Sequence, residues 1–220
     1  MIKKDDVAFV TGCDKNTEWM LQWWWKNYSK HNKSPVYFFD LGVTEPVKKW
    51  AINTFDRVIT LEPHKVKAWF LKPEALLQSA KFAHKVCWLD TDCEVLGEID
   101  HMFDLTEFNK LSMVCDRPWT KQRKSVWFNS GVVLIEGTPE PLRKWAEAIK
   151  QNPSVGDQEV LHALINNDPL TQMVFINEIH NKYNWLRIQL KNGDDSDEKL
   201  IMHWTGHKGK DMINKLMEKQ

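Results

Sequence analysis

Short apolar runs recur along this chain and alternate with segments whose apolar positions repeat at helical spacing. Residues 7–11 form the first buried run, and residues 12–17 are a turn that delivers Asp14 or Thr17 as a helix cap. In the helix that follows, Leu21, Trp25 and Tyr28 share one face, with Met20 and Trp24 beside them, a stripe that suits a core better than a ligand platform. Residues 36–39 are a second strand ending in Asp40, 45–55 a helix and 58–60 a third strand. Joined by only a few residues each, they predict a parallel, doubly wound α/β sheet.

Lys72-Pro73 opens a helix over residues 72–83, with proline where its missing N–H costs little. That helix feeds Val86-Cys87-Trp88-Leu89, an unbroken apolar run of the kind found in a central strand buried on both faces. Residues 99–105 read as a mixed connection, 112–115 and 131–135 as strands, and 121–124 as a basic solvated loop or a mobile lid. Residues 140–150 predict an amphipathic helix, and Asp157 caps a helix beginning at Gln158 that carries Val160, Leu161, Leu164 and Ile165. Late strands at 175–176 and 185–188, a hairpin-like turn at 192–195, and a run at 200–202 complete the pattern. That last run leads into a ligand-side loop, 203–210, and a short helix.

Composition narrows the function classes. A length of 220 residues suits one well-buried domain, and no linker interrupts it. Lys plus Arg and Asp plus Glu both total 30, so no net field draws nucleic acid or an anionic membrane. The four cysteines, Cys13, Cys87, Cys93 and Cys115, lack Cys-x-x-Cys spacing and read as reduced thiols of a cytoplasmic protein. Neither a signal-length apolar segment nor a membrane-spanning one is present in the sequence. Twelve tryptophans serve as core residues or as platforms for sugar rings and bases, and most read as core.

The chemistry gathers where the central strand runs out. Asp90 and Asp92 lie two apart, so on an extended backbone both carboxylates point to one side, into the crevice where open α/β sheets bind ligands. They repel unless a cation lies between them, and a hard divalent ion that also holds phosphate oxygens answers that need. The competing reading is a strand end with a solvated turn. Gly12 sits in a strand–turn–helix corner suited to a nucleotide, without the Gly-x-Gly-x-x-Gly fingerprint. Asn129, Ser130 and Gly131 place two hydrogen-bonding side chains and a close backbone approach at a strand end, which fits sugar hydroxyls or an ordinary turn. Lys72 either reaches a phosphate or is simply exposed. Asp157 alone is most simply a cap, and a terminal His203 most simply structural.

Seven segments in order carry a resemblance over nearly the whole chain. They are Phe9-Val10-Thr11 with Asp14 and Asn16, Lys72 before a helix, Trp88-Leu89-Asp90-Thr91-Asp92, Phe128-Asn129-Ser130-Gly131-Val132, Gly156-Asp157-Gln158, Tyr183-Asn184-Trp185 and His203-Trp204-Thr205-Gly206. Together the chain resembles glycosyltransferase family 8, retaining enzymes of the GT-A fold that include glycogenin and bacterial lipopolysaccharide galactosyl- and glucosyltransferases. The resemblance implies a single GT-A domain over 1–220, with a Rossmann-like, mostly parallel central sheet flanked by helices. Its nucleotide-binding part would span about 1–100, and its donor-sugar and acceptor part about 101–220.

The resemblance further implies roles. Asp90, Asp92 and His203 would hold Mn2+, with Mg2+ as the alternative. Thr11, Gly12, Asp14, Asn16, Lys72, Thr91, Asn129, Ser130, Gly206 and Lys208 would join the two aspartates in binding a UDP-sugar. Asp157, Gln158 and Asn129 would act around the anomeric carbon. One departure concerns the closing motif: the family places lysine three residues after the glycine, where this chain has Gly209 between Lys208 and Lys210. The implied reaction moves a hexosyl group, with retention, to a hydroxyl of a saccharide, lipid-linked glycan or protein acceptor. Two other readings compete. A haloacid-dehalogenase-type phosphohydrolase also uses Asp-x-Asp, but Glu94 stands where that family has Thr or Val. A nucleotide-sugar or carbohydrate-binding module without turnover would use the tryptophans as stacking surfaces.

Overall fold

A strand that is apolar on both of its faces must be covered on both, and this requirement sets the architecture. The computed structural model describes residues 4–61, 67–165, 168–193 and 198–219. The first half runs β1 (Asp5–Cys13), α1 (Leu21–His31), β2 (Val36–Asp40), α2 (Glu45–Thr54), β3 (Arg57–Thr60), α3 (Lys72–Ser79), β4 (Ala83–Leu89) and β5 (Cys93–Val95). The second runs β6 (Leu111–Cys115), α4 (Arg117–Arg123), β7 (Phe128–Glu136), α5 (Glu140–Gln151), α6 (Asp157–Ile165), α7 (Pro169–Phe175), β8 (Ile176–Glu178), β9 (Trp185–Leu186), α8 (Arg187–Lys191), β10 (Ile201–His203) and α9 (Gly206–Met217).

Seven strands form the main sheet in the order β3-β2-β1-β4-β7-β6-β8. All neighbours are parallel except β7, which is antiparallel to both β4 and β6. The expected mostly parallel central sheet is therefore present, with β4 at its middle. A smaller sheet, β5-β10-β9, lies beyond the end of β4. Alternate residues of one strand enter different cores: Val86 and Trp88 pack with Leu76, Leu142 and Trp145 on one face. Cys87 and Leu89 pack with Leu21, Trp24 and Tyr28 on the other. Six tryptophans are buried, among them Trp24, Trp88, Trp145 and Trp185, whereas Trp69 is 46% exposed.

Several boundaries differ from the sequence expectation for physical reasons. The helix expected over 72–83 stops at Ser79, because Ala83 is recruited into β4 as the partner of Asp5 in β1. The basic stretch expected as a loop is α4, whose first turn is capped by Asp116, accepting from Trp119 N at 3.0 Å. Asn129, Ser130 and Gly131 lie inside β7, opposite a register shift between Met113 and Val114 of β6. Phe175 ends a helix, and the strand expected at 185–188 is two residues long before α8 begins. Thr17 makes no side-chain cap; Asp14 instead accepts from Asn16 N and Thr17 Oγ1 within its own turn. The hairpin-like turn expected at 192–195 lies partly outside the described residues, with Asn192 and Gly193 forming a turn after α8. Among the described residues no helix is long and apolar enough to cross a membrane.

At the end of β2, Asp40 fastens the chain to its neighbours. Its carboxylate accepts from Gly42 N at 2.9 Å and Val43 N at 3.0 Å and meets Lys48 Nζ at 2.9 Å. Burial alone would raise its pKa, but Lys48 and the two amides outweigh burial and the net shift is downward. The carboxylate's contribution is thus fully present above about pH 4, its unfolded value, and is lost as pH falls through the lower native value. Asp40→Ala is expected to cost about 1–3 kcal/mol at neutral pH. Thermal melts of both proteins should show that gap closing under acid, and a pH-independent gap would exclude the charge as its cause.

Candidate functional site

At the end of β4 the chain turns instead of continuing. Asp90 N donates to Gly131 O of β7 at 2.9 Å, and Cys93 N donates to Asp90 O at 3.0 Å before entering the smaller sheet. This turn, rather than alternation along an extended strand, brings Asp90 and Asp92 into one cleft. His203 arrives on β10, paired opposite Cys93. Its Nε2 lies 3.2 Å from Asp92 Oδ1 and 3.9 Å from Asp90 Oδ2. Its Nδ1 is 2.9 Å from Asn184 Oδ1, while the Asn184 amide donates to Asn129 Oδ1 at 2.9 Å. With the Asn184 oxygen so oriented, Nδ1 carries the proton and Nε2 is the atom presented to the carboxylates. Gly131 makes this approach possible, since a Cβ there would lie 2.1 Å from His203 Cε1.

Burial alone would lower the His203 pKa, but the Asp92 carboxylate, by charge and hydrogen bond, outweighs it and the net direction is up. Asp92 is correspondingly pulled down against its own burial, chiefly by His203. A proton on Nε2 therefore occupies the place that a metal ion would take, and the two compete for the same lone pair.

Lys72 is buried rather than exposed at its helix start, and its ammonium is taken up by protein groups. Its side chain is 2% exposed, and Nζ lies 3.0 Å from Asp90 Oδ1 and 3.1 Å from Asp157 Oδ2. Nζ also donates to Ser130 O at 2.7 Å. Burial would strip the proton, yet Asp157 and Asp90 together outweigh burial and hold the ammonium charged. Asp157 is in turn no simple cap. It is the first residue of α6, and its Oδ2 accepts from Ser130 Oγ at 2.8 Å as well as meeting Lys72. Trp145 Nε1 donates to its backbone carbonyl at 2.9 Å and so fixes where α6 starts.

Asn129, Gln158 and Asp116 form a second knot. Asn129 Nδ2 donates to Asp116 Oδ2 at 3.2 Å and to Gln158 Oε1 at 3.2 Å, and Gln158 Nε2 donates to Asp116 Oδ2 at 3.0 Å. Through Asn184 this knot continues to His203. Asp116 had no functional role in the sequence reading, and Asn184 entered only as part of the Tyr183-Asn184-Trp185 segment of the resemblance, with no role of its own. The Asp-Arg-Pro run is where α4 starts, with Asp116 as its cap.

The cleft beside the Asp-x-Asp turn is lined by Gly12, Asp14, Trp69, Trp88, Thr91 and Lys210, with both aspartates. Of the expected nucleotide contacts, Gly12, Asp14 and Thr91 are thus on its wall. Thr11 is fully buried, and its hydroxyl donates to Leu89 O at 2.8 Å inside the sheet. Asn16 is exposed and bonded to Asp14 Oδ2 at 2.9 Å. Gly206 and Lys208 are exposed at the start of α9, so the expected loop is a helix and Lys210 is the lysine that faces the cleft. The reason is visible at Gly209, where a Cβ would lie 1.8 Å from Trp204 O. No lysine fits there.

The donor set can hold a divalent ion. Ligand atoms of Asp92, Cys93 and His203 all lie within 4.8 Å of one another. Cys93 is the poorest of these, because burial raises its thiol well above the usual range and keeps it protonated. Asp90 is the better third ligand chemically, but its carboxylate is shared with Lys72 and with Trp88 Nε1 at 2.6 Å.

No family model and no curated protein matches this sequence. Among solved structures, galactosyltransferase LgtC, determined with donor and acceptor sugar analogues, has a TM-score of 0.69 at 15% identity, covering 96% of this chain and 95% of its own. Apo-form GlyE of Streptococcus pneumoniae TIGR4 has 0.64 at 17%, covering 97% and 64%. Mouse xyloside xylosyltransferase 1, also apo, has 0.60 at 11%, covering 91% and 97%. The likeness is one of fold: the chain has the GT-A fold of these glycosyltransferases, LgtC and GlyE being of the family 8 type.

The Lys72–Asp157 pair makes a stability prediction opposite to that of a helix cap. As a cap, Asp157 could be replaced by asparagine at little cost, whereas as partner of a buried ammonium it cannot. Lys72→Met is expected to cost about 3–5 kcal/mol, and Asp157→Asn about 1–3 kcal/mol. In the double variant the second change should cost far less than it does alone, as read by urea unfolding. Strict additivity would show that the two residues act independently.

Proposed function

We propose that this protein is a metal-dependent glycosyltransferase that moves a hexosyl group from a UDP-sugar to an acceptor hydroxyl, with retention at the anomeric carbon. The observation that carries the reading is the meeting of buried His203 with Asp92 at 3.2 Å, where Asp92 and Asp90 line a cleft whose wall also includes Lys210 and Gly12. Carboxylates gathered around so few cations make a site that attracts a diphosphate only in company with a metal. Asp90, Asp92 and His203 would hold that ion, manganese in preference to magnesium. When bound, it supplies Lewis-acid neutralisation of the charge that develops on the leaving diphosphate.

The chain's own residues do the rest. Lys210 adds a positive charge on the diphosphate side of the cleft. Gly12 lines the cleft with its backbone, and the sheet itself demands glycine there, since a methyl would meet Phe39 O at 2.9 Å. Gln158, held at both ends of its amide by Asn129 and Asp116, is a fixed dipole beside the reacting carbon. Asp157 Oδ2 is occupied by Lys72 Nζ at 3.1 Å and Ser130 Oγ at 2.8 Å, which leaves it poorly placed to attack as a nucleophile. Attack by the acceptor on the face that the diphosphate leaves is then the favoured course: the anomeric C–O bond to phosphate breaks, the new glycosidic bond forms, and the departing phosphate oxygen takes the acceptor's proton.

Release of UDP from UDP-glucose and UDP-galactose, with and without manganese, tests the reading. Asp92→Asn should remove most of the manganese dependence and lower turnover by about a hundredfold or more, because it deletes a ligand charge. His203→Ala should weaken manganese more than magnesium. UDP binding without release in any condition would favour the binding-module alternative instead.

The lysine question has its own outcome. Lys210→Ala should raise the Kd for UDP by about tenfold, a loss of one charge-assisted contact, while Lys208→Ala leaves it near the native value. Isothermal titration with UDP and manganese reads both, and the reverse ranking would assign the diphosphate to Lys208.

A further inference from the structure

We infer that Trp88 is a positioning residue for the metal: its indole N–H and the Lys72 ammonium together occupy Asp90 Oδ1, so that Asp90 offers an ion Oδ2 alone. The inference rests on the metal-dependent reading of the cleft and adds to it the way in which one ligand is aimed. Trp88 is the second-last residue of β4 and Asp90 the first beyond it, so the contact is local, with Nε1 donating to Oδ1 at 2.6 Å.

An ionised carboxylate has about four lone-pair sites, two on each oxygen. On Asp90 Oδ1 they are taken by Trp88 Nε1 at 2.6 Å and Lys72 Nζ at 3.0 Å. Among the described residues, Oδ2 has the longer contact with Lys72 Nζ, at 3.3 Å, and lies 3.9 Å from His203 Nε2. The side of the carboxylate that remains therefore faces His203, whose Nε2 is 3.2 Å from Asp92 Oδ1. An ion shared by these three would meet one oxygen of Asp90. Without the indole, the carboxylate could turn both oxygens toward it.

The ring is held in place from outside the site. Trp88 is 2% exposed and packs with Leu76, Leu142 and Trp145. A Cβ on Gly12 would lie 3.2 Å from its Cη2, so glycine in the neighbouring strand leaves room for the far edge of the indole. Lys72 Nζ stands over the ring face, 5.8 Å from the centroid, while the N–H edge meets the carboxylate. Core packing alone does not account for that contact. The buried indole N–H groups of Trp23, Trp24 and Trp185 have no hydrogen-bond partner among the described residues, so burial in this core does not by itself supply one.

Trp88→Phe keeps a ring in the core and removes the N–H, and electron paramagnetic resonance reads free manganese during a titration. The manganese Kd should rise about tenfold or more, as when a hydrogen bond that orients a metal ligand is lost, with circular dichroism showing a folded chain. Calcium accepts bidentate carboxylates and should lose less affinity than manganese, as measured by its competition with manganese; a merely loosened fold would weaken both ions alike. A native manganese Kd in Trp88→Phe, or equal losses for the two ions, overturns the role. A crystal structure of the native chain with manganese gives a check that needs no variant. Asp90 should ligate through Oδ2 with Oδ1 kept on Trp88 Nε1, and a bidentate Asp90 or a broken indole contact overturns the inference. The metal-dependent reading fails differently, by a native chain that takes up no manganese in either experiment, and the role of Trp88 then falls with it.

Discussion

A single buried ammonium is the constraint on which this molecule's working end depends. Lys72 comes from the start of α3, Asp90 from the end of β4, Ser130 from β7 and Asp157 from the start of α6, and Nζ touches all three partners. An ammonium without such partners would lose its proton or stay in water, and the carboxylates without it would repel one another. Sheet order then follows function: β7 has to run antiparallel beside β4 so that its beginning, not its end, meets the Asp-x-Asp turn. The same arrangement puts Gly131 under His203 and Asn129 within reach of Gln158. Much of the site is thus a chain of paired charges and amides whose members hold one another in place.

The residues presented to the cleft differ in kind from those that hold it. Asp92, Lys210 and Thr91 line it directly. Asn184, Asp116 and Trp145 lie behind, where they fix the His203 tautomer, the Gln158 amide and the start of α6. Their hydrogen bonds are buried or partly buried, so their loss leaves polar groups poorly satisfied.

Legibility from sequence divides along the same line. The strands read at 36–39 and 86–89 and the helices read at 45–55 and 140–150 are present with their ends shifted by up to three residues, because their patterns are local and several turns or most of a strand long. The order of the motifs pointed to the GT-A fold even though identity to the three solved structures described above is only 11–17%. What could not be read was anything decided by a distant partner. Ala83 looks helical until Asp5 claims it for the sheet. Thr11 looks like a nucleotide contact, but its hydroxyl is spent on Leu89 O. Asp157 looks like a cap because Lys72 is far away in sequence. Gly209 looks like a missing lysine because nothing in the sequence reveals that Trp204 O occupies the space.

Where the chain changes sheets also matters mechanically. Asp90 hangs from the main sheet through Asp90 N to Gly131 O, whereas Asp92 is tied to the smaller sheet through Trp204 N to Asp92 O, each at 2.9 Å. His203 belongs to that smaller sheet as well. The gap between Asp90 and the Asp92–His203 pair therefore falls at the seam between the two sheets, and its width depends on how their apolar surfaces seat on each other. Val95 and Ile201, fully or almost fully buried against Leu134 and Val132, form part of that seat. Discrimination between ions of different radius at such a seam would be tuned from the hydrophobic layer beneath it, with no change to any residue that touches the ion.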